Sequence, residues 1–261
     1  MPMTESEIRE SNHQFREVWQ LYARKSSAGE AFDQDGMSFA NANQPWFFMN
    51  VGLLNRPVYD ESDLEHRAVE AVEYFRSSKN PWLLTASENW FGANAPSVLA
   101  KVGLKHKLDL IGMVATRLNS PTRPLPRVQL RRINDEQTRV ELADLNADAY
   151  GVPRDWGRQA LASPALWQAH LFGTISYIEG EPAAGAFAVP IDKALYVAWV
   201  ATTKTHRGLG LAELVVRACL ADARDATGIE RTALHATENG FPLYLRMGFR
   251  SVVRFPLYGR E

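Results

Sequence analysis

The chain has 261 residues, 46% hydrophobic and 23% charged, with 29 lysines and arginines against 30 aspartates and glutamates for a formal charge of −1. Such a profile is that of a chain able to bury its own core, not of a disordered or fibrous one. The even charge balance argues against a nucleic-acid binder, and no run approaches the ~20 apolar residues that cross a bilayer.

Residues 1–10 are polar and acidic with no apolar stretch, so they do not read as a secretory signal, and a cytoplasmic protein is expected. Apolar spacing in the first half predicts helices over 5–24 and 63–76, and strands over 46–54, 81–85 and 108–117. Pro121, Pro124 and Pro126 then interrupt any regular element. Residues 121–127 read as a linker between an N-terminal domain over 1–120 and a C-terminal domain over 128–261.

The second half opens with a strand-like run over 128–133, whose Arg127, Arg131 and Arg132 read as a solvated face. A helix follows over 135–150 and a short one from Trp156. Strands are expected over 170–179, 183–191 and 194–202, with a turn at Gly180. A helix over 211–227 ends at Gly228. A strand over 231–237, a short helix over 242–247 and a strand over 249–257 complete the chain. The fold class implied is α/β (α+β), with a mixed, mostly antiparallel sheet flanked by helices.

Cys219, the single cysteine, precludes an internal disulfide and sits in an apolar helical pattern, where it reads as a small buried hydrophobe. The six histidines show no metal-binding pairing, so no metal is expected.

The halves echo each other. Ala86-Ser87-Glu88-Asn89 in the first matches Ala236-Thr237-Glu238-Asn239 in the second. Each tetrad follows a short apolar strand and precedes a helix that starts with proline. Those helices end in Gly103-Leu104-Lys105 and Gly248-Phe249-Arg250. Two matches in one order predict a duplicated unit. Trp90-Phe91, just after the first tetrad, is a candidate lining for an acceptor pocket.

After Val200-Ala201-Thr202 comes Arg207-Gly208-Leu209-Gly210-Leu211-Ala212, leading directly into the long helix. Glycines let backbone N–H groups approach an anion, and a helix N-terminus adds about +0.5 charge. Arg207 adds a forked donor. The spacing is neither the GxGxxG dinucleotide fingerprint nor a Walker loop.

In this context the loop resembles that of the GNAT (GCN5-related N-acetyltransferase) family, Arg/Gln-x-x-Gly-x-Gly/Ala, filled here by Arg207, Gly210 and Ala212. Lys204 stands where the family usually has a proline. The stretch from Asn239 to Tyr244 and Gly248-Phe249 resembles the family's fourth-helix motif. The resemblance covers 128–261, and the first half looks like the degenerate partner of tandem members. It implies an acyl-CoA N-acyltransferase fold, duplicated, and an enzyme that moves the acetyl group of acetyl-CoA to a primary amine without a metal. Acetyl-CoA would be held by Val200, Ala201, Thr202, Arg207, Gly208, Leu209, Gly210, Leu211, Ala212 and Asn239, with Tyr244 as general acid. The base would be Glu238, His235, Glu179 or water. The acceptor reads as a small molecule, with a protein or peptide amine, or non-catalytic acyl-CoA binding, as alternatives. No nucleic-acid or membrane partner is expected.

Overall fold

The computed structural model describes residues 4–260. Thr4 and Glu7 form a reciprocal capping box that starts α1 (Glu5–Lys25), satisfying two donors that the helix itself cannot. A hairpin follows, β1 (Glu30–Gln34) and β2 (Met37–Asn41), then a 3-10 turn (Phe47–Met49) and β3 (Asn50–Leu54). Next come α2 (Glu61–Tyr74), β4 (Leu83–Thr85), α3 (Glu88–Phe91), α4 (Ala95–Lys101) and β5 (Lys105–Ala115). The second half comprises β6 (Gln129–Arg132), α5 (Glu136–Tyr150), α6 (Arg154–Leu161), α7 (Pro164–Trp167), β7 (Phe172–Ile178), β8 (Glu181–Ile191) and β9 (Ala194–Thr202). A 3-10 turn (Lys204–His206), α8 (Leu211–Thr227), β10 (Thr232–Ala236), α9 (Phe241–Met247) and β11 (Arg250–Gly259) complete it. Both halves contain a helix, three strands, a helix, a strand, a short helix and a strand in that order, to which the first half adds α3 and the second adds β6, α6 and α7.

The chain divides into two compact units. One holds the residues up to Met113, with His235–Asn239 and the segment from Ser251 on; the other holds Val114–Leu234 and Gly240–Arg250.

In the first unit β1, β2 and β3 form an antiparallel meander, and β3 lies parallel to β4 through the crossover α2. The chain's last strand, β11, is built into this unit. Leu257, Tyr258 and Gly259 pair antiparallel with Thr85, Leu84 and Leu83. The core gathers Met37, Phe39, Leu64, Phe75, Trp82, Leu84, Leu99 and Tyr258. Phe91 joins it, with its ring 5.5 Å from that of Tyr258, so half of the Trp90-Phe91 pair is core.

The hairpin β1–β2 was not expected from the sequence. β1 is mostly exposed and polar, so it carries no apolar alternation. The turn between Gln34 and Met37 is Asp35-Gly36, with Gly36 at φ +79°, which is a hairpin signal in its own right. The strand expected from Trp46 starts only at Asn50, because Asn50 Nδ2 turns back to the carbonyls of Gln44 and Pro81 at 2.7 and 2.8 Å.

In the second unit β6 to β9 are antiparallel neighbours, and β9 and β10 are parallel. Glu179 and Gly180, at φ +53° and +86°, form the two-residue turn between β7 and β8. α5 starts at the Asp135 cap and stops at Gly151, which is left-handed. Leu142, Phe187, Leu195, Val215, Val216 and Leu220 are core. Cys219 is fully buried, its thiol donating to the Val216 carbonyl at 3.3 Å, and burial pushes its pKa up, so it is the inert hydrophobe expected. Arg131 and Arg132 are paired with Asp135 and Asp222, as a solvated face requires.

Candidate active site

The strand that would carry a ligand is irregular at one point. Opposite the single Ala186 of β8, β9 places two residues, Trp199 and Val200, between the pairs Phe187–Ala198 and Gly185–Ala201. This is a β-bulge, which re-aims backbone groups out of the ladder. Trp199 sits at φ +53°, rare for a bulky side chain. Asn146 of α5 holds the distortion: fully buried, it donates Nδ2 to the Trp199 carbonyl at 3.1 Å and to Leu142 at 3.0 Å. Nothing in the sequence marked the bulge, since no glycine stands there.

The other edge of β9 opens as well. Its parallel register with β10 pairs Leu195 with Thr232 and Tyr196 with Ala233 only. β9 runs six residues past that last pair, through the candidate residues Val200, Ala201 and Thr202.

Past Thr202, the Thr203 N–H returns to the Ala183 carbonyl at 2.9 Å. The His206 N–H bonds the Thr203 carbonyl at 3.0 Å, and Thr203 Oγ1 meets His206 Nδ1 at 2.8 Å. Lys204 opens this 3-10 turn, so the loop is stiffened by hydrogen bonds instead of a proline ring. Arg207 and Leu209 are exposed. Gly208 and Gly210 hold φ of +81° and +87°, which side-chain residues rarely adopt. A Cβ on Gly208 would meet nothing within 4 Å. Gly210 is the N-cap of α8 and offers no side-chain acceptor to the first-turn N–H groups. Leu211 is buried and anchors the first turn, and Ala212 is half-buried beside it. An open cradle of backbone donors at a 17-residue helix fits a diphosphate.

Tyr244 lies in α9, 7% exposed, its ring edge-on to Phe249 at 5.7 Å. Burial pushes its pKa up, reinforced by Tyr150 and Cys219. No described residue hydrogen-bonds its hydroxyl. Tyr150 ends α5, and its ring meets Trp199 edge-on at 6.2 Å, so bulge and α5 share an aromatic contact.

Val200, Ala201, Thr202, Arg207, Gly208, Leu209, Gly210, Leu211, Ala212 and Tyr244 all belong to the second unit. Asn239 belongs to the first unit, exposed in the turn before α9. Among the candidate bases, Glu238 is exposed and Glu179 is taken up by the β7–β8 turn. His235 is packed between Phe15 and Phe255, with Nε2 3.1 Å from Ser11 Oγ. Desolvation lowers its pKa to about 3, although the residue as a whole is half-buried. It is a neutral imidazole at physiological pH.

Comparison with known proteins bears on the family and the fold. The acetyltransferase (GNAT) family profile matches residues 129–249. This segment belongs to the GNAT family. A GCN5-related N-acetyltransferase from Kribbella flavida superposes with a TM-score of 0.69 at 16% identity, covering 95% of each chain. A functionally unknown conserved protein from Staphylococcus epidermidis gives 0.63 at 12%, covering 90% of this chain and 94% of its own. A tandem GNAT protein of clavulanic acid biosynthesis gives 0.55 at 12%, covering 86% and 78%. At these identities the superpositions speak for the fold, which reaches over both halves: the mixed, mostly antiparallel GNAT-like fold is duplicated. No curated protein matches the sequence. Among the described residues no cluster of metal ligands occurs, and no helix is long and apolar enough to cross a membrane.

Proposed function

We propose that this protein is an N-acetyltransferase that moves the acetyl group of acetyl-CoA onto a primary amine of a small molecule, by direct attack in a ternary complex in the cytoplasm. One observation carries the reading. Within the GNAT segment a bulged, open-edged strand runs through a stiffened glycine turn into a helix with no cap of its own.

Bound acetyl-CoA would supply an activated acyl thioester. Val200, Ala201 and Thr202 offer backbone groups to its pantetheine arm as an added strand would, with one N–H facing the thioester oxygen. Losing such a donor typically costs ~2.7–4 kcal/mol of transition-state stabilisation. The N–H groups from Gly208 to Ala212, with Arg207, would receive the diphosphate. As the amine nitrogen bonds the acyl carbon and the carbon–sulfur bond breaks, Tyr244 gives its proton to the departing sulfur. Its raised pKa keeps it protonated at neutral pH, so it serves as a donor and not a base. The same dry surroundings raise the basicity of a thiolate formed there, which favours the transfer. With His235 neutral and Glu238 and Glu179 at the surface, a water chain takes the proton lost by the ammonium.

The test is an amine panel assayed by release of free CoA thiol, run beside calorimetry with CoA. Turnover of small primary amines is expected. Preference for peptide amines would transfer the reading to a protein acetyltransferase. CoA binding without turnover on any amine would leave a binding module.

A further inference from the structure

The segment joining the halves is pinned at its start. The Asn119 N–H donates to the Met247 carbonyl at 2.8 Å and its Nδ2 to Arg246 at 3.3 Å, closing the C-terminal end of α9. Gly248 at φ +98° admits this contact, since a Cβ there would come within 3.0 Å of three Asn119 atoms. Arg217 of α8 donates to the Asn119 carbonyl at 2.6 Å and is itself braced by the buried Glu213 at 2.7 Å. The strap therefore touches both the helix of Tyr244 and the helix of the glycine turn.

Four residues on, it reaches the turn itself. A Cβ on Gly210 would stand 3.4 Å from Arg123 Nη2, 3.6 Å from its Nε and 3.5 Å from Pro126 Cδ. Three prolines limit how far this stretch can rearrange. Many exposed arginines here are matched to a carboxylate, as Arg56 is to Asp35, Arg132 to Asp222, Arg154 to Asp148 and Arg254 to Glu88. Arg123 and Arg207 have no such partner among the described residues, and both stand at the start of α8, whose left-handed N-cap glycine supplies no side-chain acceptor. A guanidinium is a bidentate donor suited to phosphate oxygens.

We infer that Arg123, outside every motif of the chain, is a cofactor-contacting residue that binds the diphosphate of CoA across the glycine turn. The inter-repeat segment is then a wall of the cofactor site and not a passive tether. This rests on the proposed cofactor reading.

The test compares Arg123→Gln and Arg123→Lys with the parent, by calorimetry with CoA and by acetyl-donor kinetics with acetyl-CoA and with acetyl-pantetheine, which lacks the diphosphate. Arg123→Gln is expected to bind CoA about tenfold more weakly, the loss of one charge-assisted hydrogen bond. The KM for acetyl-CoA should rise with kcat unchanged, the KM for acetyl-pantetheine should stay put, and Arg123→Lys should recover part of the loss. Parent-like CoA binding by Arg123→Gln overturns the assignment. An equal loss with both donors overturns it too, because it would mark a structural role for the strap. If the parent itself binds no CoA, the cofactor reading falls and Arg123 with it.

Discussion

The two halves solve the same junction in opposite ways. In each, a strand leads to a helix that crosses to a parallel neighbour, β3–α2–β4 in the first half and β9–α8–β10 in the second. In the first, the junction uses up its own polar groups. The Asp60 side chain caps α2 by accepting from the Asp63 N–H at 2.9 Å. Asn55 Nδ2 donates to the carbonyls of Gln34 and Met37 at 2.9 and 2.7 Å. The buried Arg67 guanidinium bonds the carbonyls of Gly36, Arg56 and Pro57 and pairs with Asp63. In the second half the cap is a left-handed glycine that offers the helix donors no side-chain acceptor. A carboxylate at the first helix start occupies the place an anion would take, so one cofactor site per chain is expected. The short helices differ likewise. Val98, two residues after Pro96, is core, where Tyr244, two residues after Pro242, brings a hydroxyl.

The largest expected effect tests that last difference. Tyr244→Phe keeps the buried ring and removes the proton donor, and should lower kcat by about 10²–10⁴-fold while CoA affinity barely changes. Near-parental turnover would mean that the sulfur takes its proton from water.

Next is the sealed junction. Arg67→Leu leaves three backbone carbonyls without their partner while Asp63 keeps Arg56 and the Tyr59 N–H, so the loss should fall at the low end of the about 3–5 kcal/mol that breaking a buried pair costs. Thermal unfolding should register it, while the protein that remains folded should keep the parental CoA Kd. A lost CoA affinity in folded protein would contradict the division of labour between the halves.

At the open junction, calorimetry on the parent should give one CoA per chain. Gly210→Val should abolish most of that binding, and at φ +87° it should also cost about 1–2 kcal/mol of stability. Two equivalent sites, or tight binding by the variant, would break the comparison.

The smallest effect is a pH dependence. His235 has a folded pKa of about 3, below the 6.5 of an unfolded imidazole, so acid favours the unfolded chain. Its contribution is complete above about pH 6.5 and declines as pH falls towards 3, with a slope below about 1.4 kcal/mol per pH unit because the residue is only half-buried. Thermal unfolding at pH 7 and pH 5 should show a smaller drop in Tm for His235→Asn than for the parent. An equal drop would assign the acid sensitivity to other groups.

Much of this protein was legible locally. Helix α8 runs over the residues that its apolar spacing and terminal Gly228 predict, because helix signals lie within a few turns of one another. The Gly208–Gly210 turn was readable because left-handed backbone requires glycine. Three features were not. β1 is polar and mostly exposed, so it is held as a strand by its pairing with β2 and not by its own pattern. The bulge at Trp199 is imposed by Asn146, 53 positions away. Arg123 reads as part of a proline-rich spacer until Asn119 is fastened to α9 and the strap is brought to Gly210. Sequence by itself determined the echo of the two tetrads with their proline-started helices and the one glycine cradle, since these follow from short-range patterns and backbone sterics. Tertiary structure decided which helix start stays open, where β9 bends and which arginine faces the loop, because each depends on hydrogen bonds between residues far apart in the chain.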